Sequence, residues 1–81
     1  MKIYLRFENR YWEEEQQKLM FGKLFPIDFP TIPRKGEVII CDKIKTIPNC
    51  CEGFGWYVDW VEYRKMNNKI IPILTLIGDT I

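Results

Sequence analysis

The stretch Trp56-Tyr57-Val58-Asp59-Trp60-Val61-Glu62-Tyr63 holds six aromatic or β-branched residues in eight, and nothing else in the chain constrains its fold as strongly. Such side chains suit a pleated, half-buried surface, so the run is expected to be the central strand of a sheet. Residues 37–44 and 70–77 are equally β-rich, and Gly, Pro or Asn punctuation separates the three runs. Each should therefore fold back on its neighbour. At 81 residues the chain has length for one domain, spanning 1–81, near the lower limit for a self-sufficient core.

Upstream, Ile3, Leu5 and Phe7 alternate with Lys2, Tyr4 and Arg6, a period of two that marks a further half-buried strand. Asn9 then stands as a helix N-cap, with Glu13, Glu14 and Glu15 near the positive end of the helix dipole. Trp12, Leu19 and Met20 share one helical stripe, Glu14 and Lys18 are spaced as an i,i+4 pair, and Gly22-Lys23 supplies a stop. A helix over 10–21 is expected. Because Glu15 and Gln16 thin the stripe, a long hairpin arm is the competing assignment.

Pro26, Pro30 and Pro33 forbid helix across 24–33, which should run extended along the surface and tuck Phe25, Ile27, Phe29 or Ile32 inward. Pro33-Arg34-Lys35-Gly36 has the composition of a tight turn, with Gly36 able to take positive φ. In the strand that follows, Val38 and Ile40 face one way, Ile39 and Cys41 the other. Residues 46–55 read as a loop, and Asn67-Asn68 as a two-residue reversal that joins 56–66 to 70–77 in a hairpin. Pro72 lies inside the last strand, which suggests an edge position or a bend.

Strict alternation leaves both faces of this hairpin apolar: Trp56, Val58 and Trp60 against Tyr57, Val61 and Tyr63. A sheet with one wet face has no need of that. The sheet could curl into a small barrel covered by the helix or the proline arm, a bulge near Asp59 and Trp60 could switch the face, or another protein could cover one side.

Gly36-Glu37-Val38-Ile39-Ile40, then Val58 and Val61, then Ile73-Leu74-Thr75-Leu76 resemble the β-ladder of SH3-like small barrels. The likeness spans the C-terminal half and rests on residue classes. It implies a binding or assembly role without naming a ligand. Asp42, Glu52, Asp59 and Glu62 depart from the basic loops of nucleic-acid-binding members.

Chemistry is constrained mainly by what is missing. The chain has no histidine, which removes the commonest general base and metal ligand, and a net charge of +1 argues against a polybasic surface. Cys50-Cys51, with Cys41 on the preceding strand, could form a thiol switch; loop and core cysteines without chemistry are the preferred reading, and zinc would lack a fourth ligand. Glu13, Glu14, Glu15, Asp59 and Glu62 are best explained as solvated surface. Tyr11, Trp12, Phe54, Trp56, Trp60 and Tyr63 could build a stacking platform, but most should be core; Phe54 and Trp56, beside glycines at a loop-strand junction, are the ones placed for presentation to a partner.

The expectation is thus an α+β domain, with about four strands in a strongly bent antiparallel sheet or SH3-like barrel and one N-terminal helix. Its expected role is a non-catalytic protein-interaction or adaptor module, not an enzyme, using Phe54, Trp56, Arg34 and Lys35 and needing no cofactor or metal. A protein partner or homodimer is favoured. The alternative is a small nucleic-acid-binding barrel that uses Arg34, Lys35, Lys43 and Lys45 with Phe54 and Trp56. No run approaches the ~20 apolar residues that span a bilayer, and the N-terminus lacks an export signal, so residence in the cytoplasm is expected.

Overall fold

A computed structural model describes residues 1–41, 44–51 and 55–78. In chain order the elements are β1 (Lys2–Glu8), α1 (Glu14–Met20), β2 (Phe25–Asp28), β3 (Val38–Ile40), β4 (Gly55–Met66) and β5 (Lys69–Gly78), with a 3-10 turn at Asn49–Cys51. The strands form one curled sheet in the order β2-β1-β5-β4-β3.

The α+β class stands, but the sheet has five strands and is mixed, where four antiparallel strands were expected. Both differences have a physical origin. The prolines of the connector do not keep it out of the sheet, because β2 is an edge strand, where a proline can be accommodated on the unpaired side. Pro26 sits opposite Tyr4 in the antiparallel β1–β2 ladder, and Phe29 N–H donates to Met1 O at 2.8 Å beyond its end. The mixed character comes from β1 pairing parallel with β5, from Tyr4↔Ile73 to Glu8↔Ile77. Nearly the whole chain lies between these two strands, so no hairpin dictates their orientation.

Pairing β1 with β5 makes β5 a central strand, against the edge position suggested by Pro72. The proline is tolerated because the parallel ladder begins at Ile73, one residue beyond it, so at Pro72 the strand has β4 alone as a neighbour.

The two-sided apolarity of β4 resolves through a bulge. Val58 pairs with Leu76 and Trp60 with Thr75, so Asp59 is the extra residue. Trp56 and Val58 then share the inner face with Val61, while Trp60 turns outward and is 57% exposed. The inner face carries the core: Ile3, Leu5, Phe7, Ile27, Ile39, Trp56, Val58, Leu74 and Leu76. Phe25, Phe29 and Ile32 pack against it, as the connector's apolar spacing led one to expect. Met20 of α1, with Cys41, Ile47 and Cys51, belongs to the same cluster.

The helix is shorter than expected, and Asn9 does not cap it. Asn9 Oδ1 accepts from Tyr11 N–H at 2.9 Å and Trp12 N–H donates to Asn9 O at 3.1 Å, so Asn9 closes a separate turn before the helix begins. Glu13 stands at the N-cap without a side-chain bond. Of the helical stripe only Met20 is buried; Trp12 is half-buried and Leu19 faces solvent. Glu14–Lys18 form the i,i+4 pair at 3.5 Å, and Gly22 ends the helix with φ +73°.

Candidate protein-interaction surface

The outer face of the sheet is built by the same alternation that fills the core. Because Ile39 points inward, Val38 and Ile40 must point outward, and they are 62% and 68% exposed. Val38 pairs with Tyr57, and Tyr57 with Ile77, so one register row carries three apolar side chains across β3, β4 and β5. Trp60, redirected by the bulge, joins that face. β3 is also an edge strand, so its outer backbone groups have no strand partner among the described residues.

Further along the same face the surface becomes polar. Arg6 Nη2 donates to Glu62 Oε1 and to Thr75 Oγ1, both at 2.6 Å, and Arg64 donates to Glu62 Oε2 at 3.1 Å. Arg64, with Arg6 behind it, holds the Glu62 carboxyl below the usual carboxylate range. Thr75 and Ile73 are buried in this zone, and Thr75 is paired within the network. The polar zone thus satisfies itself, whereas Val38 and Ile40, and Trp60 beside Thr75 at the border of that zone, are left facing water.

The residues expected to form a site are not brought to this surface as a set. Trp56 is fully buried; its Nε1 donates to Cys51 O at 2.8 Å and its ring meets Phe7 at 4.8 Å edge-on and Trp12 at 5.7 Å. It is a core side chain and is not presented to a partner. Phe54 and Lys43 lie outside the described residues. Arg34 and Lys35 are exposed in the turn before β3, where Arg34 N–H is held by Glu37 Oε1 at 2.5 Å and Gly36 takes φ +92°. Lys45 is exposed in the turn after β3. With Trp56 in the core, one of the two aromatics expected to stack beside the basic cluster is removed from it, and the aromatics that line a cleft with Arg34 and Lys35 are Trp60 and Tyr63.

Among the described residues no group of three or more Cys, Asp or Glu side chains is placed to hold a metal. Cys50 and Cys51 approach at 3.9 Å between sulfurs, and Gln16 Nε2 donates to Cys50 Sγ at 3.4 Å. All three cysteines are free thiols. Burial pushes the Cys41 thiol up to about 11, and burial reinforced by Cys50 raises Cys51 as well, so neither carries the thiolate that reactivity requires. A cleft of about 390 Å³ opens between the end of β1 and α1, lined by Phe7, Asn9, Arg10, Trp12, Met20 and Phe21. It combines apolar walls with two cations, Arg6 and Arg10, and one carboxylate, Glu8.

Sequence reasoning missed the outer patch although its signal was present: alternation gives Val38 and Ile40 a common face, and only Trp60's redirection was needed to complete it. No family model matches the chain, and no curated protein or solved structure matches it either.

Proposed function

We propose that this chain is a non-catalytic protein-interaction module that works through the outer side of its β3 edge, with a second copy of itself as the partner. One observation carries the reading: Val38 and Ile40 are each more than half exposed on β3, a strand with an open edge among the described residues, and Trp60 of β4 is exposed on the same outer face. Exposed apolar side chains beside an open strand edge are the ingredients of sheet extension, in which backbone bonds supply affinity and alternate side chains supply fit. Two β3 edges related by a two-fold axis would present the same row to each other. A net charge of +1 sets little repulsion against that approach.

The curled sheet accords with an SH3-like adaptor, and the free thiols with a reducing compartment such as the cytoplasm. No helix among the described residues is long and apolar enough to cross a membrane.

Light scattering across a tenfold dilution series tests the proposal. The expected result is twice the chain mass for the wild type and a folded monomer for Val38→Glu/Ile40→Glu. A wild type that stays monomeric throughout, or a double variant that still dimerises, removes self-association through β3.

A further inference from the structure

The hairpin of β4 and β5 outruns the rest of the sheet. β3 pairs with β4 only at Gly55, Trp56 and Tyr57, and β1 pairs with β5 only from Ile73 onward. Between these limits, Tyr63–Met66 pair solely with Lys69–Pro72, and the ribbon ends in Asn67-Asn68, both with positive φ (50° and 62°). Four residues at about 3.4 Å each carry the ribbon roughly 13 Å past the last residue of β1 that holds it. The molecule is correspondingly elongated, 36 × 23 × 23 Å.

The ribbon's charge is one-sided. Arg64, Lys65 and Lys69 are exposed, and no Asp or Glu occurs anywhere from 63 to 78. The nearest carboxylate, Glu62 at the base, is already shared between Arg6 and Arg64. Register places Arg64 opposite Ile71 and Lys65 opposite Ile70, so the cations project to both faces of the ribbon. Lysines on a free edge discourage strand-to-strand aggregation. Edge protection can draw on charges of either sign, and here every charged residue from 63 to 78 is a cation.

We propose that the β4–β5 ribbon is an arm that docks on duplex DNA, with Arg64, Lys65 and Lys69 meeting backbone phosphates and the Asn67-Asn68 tip entering the major groove. Charge complementarity selects a polyanion, and shape selects the B-form duplex. Its major groove, about 12 Å wide and 8.5 Å deep, admits a two-stranded ribbon, and an overhang of roughly 13 Å is enough to reach its floor. The deep, narrow major groove of A-form RNA does not admit one. Cations on both faces suit a ribbon flanked by two phosphate walls. The exposed Tyr63 and Ile70 add apolar surface beside the cations. This arm is distinct from the Arg34–Lys45 cluster, and it does not rest on self-association through β3.

Fluorescence anisotropy with a labelled 20-base-pair DNA duplex of mixed sequence, at 50 and 200 mM salt, tests the assignment. Three phosphate contacts predict a log-log salt slope of about −2.7, so the fourfold rise in salt should weaken binding roughly 40-fold. Arg64→Gln/Lys65→Gln/Lys69→Gln should lose binding at least tenfold and flatten the slope, while Arg34→Gln/Lys35→Gln should bind as the wild type does. Lys65→Gln/Lys69→Gln, which leaves the Arg64–Glu62 pair intact, should bring the slope close to −1. The inference is overturned by undetectable wild-type binding at 50 mM salt, by an unaffected triple variant that circular dichroism shows folded, or by equal binding to duplex RNA or poly-glutamate.

Discussion

Val58 and Val38 offer a matched pair, because the same two methyl groups can be removed from opposite faces of the sheet. Val58 is fully buried opposite Leu76, while Val38 on the neighbouring strand is 62% exposed. Removing two buried methyl groups at about 0.8 kcal/mol each costs about 1.6 kcal/mol in transfer alone. The void left among Trp56, Leu74 and Leu76 raises Val58→Ala to about 2 to 3 kcal/mol. With little more than a third of the side chain covered, Val38→Ala should cost no more than about 0.6 kcal/mol, and solvent fills the space left behind. For a domain of this size these become a melting-temperature fall of roughly 8 to 24 °C against less than about 5 °C. Urea denaturation followed by tryptophan fluorescence reads both, and parallel slopes would show that the unfolded state has not changed. The measurements are made at the lowest usable concentration, where self-association through β3 does not contribute to Val38. Equal losses from the two variants would refute the division of the sheet into inner and outer faces, and with it the surface proposed for contact.

Four further outcomes follow from the packing. Gly36 takes φ +92°, and a Cβ added there would meet nothing within 4 Å among the described residues, so Gly36→Val should lose about 1 to 2 kcal/mol from backbone strain alone; an unchanged urea midpoint would remove the turn assignment. A Cβ at Gly78 would lie 3.1 Å from Asn9 Nδ2 and 3.1 Å from the Trp56 ring, whereas one at Gly55 would meet, among the described residues, the exposed Val38 at 3.3 Å. Gly78→Ala should therefore cost about 1 to 3 kcal/mol and Gly55→Ala a few tenths, and the reverse order in denaturation would refute the seating of Trp56. Iodoacetamide at pH 8 should label Cys50 alone in the native chain and all three thiols in urea, read by peptide mass spectrometry. Because Cys41 is raised from 9.0 to about 11, its contribution to stability is intact below pH 9 and is lost as pH rises through 11, so Cys41→Val should lessen the alkaline loss between about pH 8 and 10.5.

The strands were legible wherever the signal was local. Alternation at Ile3, Leu5 and Phe7 and at Val38 to Cys41 reports which side faces the core, since successive side chains must point to opposite faces. Gly36 and Asn67-Asn68 announce their turns because the positive φ observed there suits few other residues. The bulge at Asp59 was legible as one of three resolutions of an over-apolar hairpin; choosing it required the partner strand, because a bulge is a mismatch between two strands. The site was read less well. Trp56 beside Gly55 looks like a presented aromatic in one dimension, and only the enclosing Phe7, Trp12 and Cys51 put it in the core.

What the sequence determined by itself is a small α+β domain with β-rich runs, their turns and their inward residues, all set by propensity and by a period of two. Tertiary structure alone decided that β1 lies parallel to β5, that a proline segment serves as the edge strand, and that the β4–β5 ribbon projects beyond its neighbours. Each of these depends on where strands distant in sequence begin and end against one another, and no local pattern encodes that.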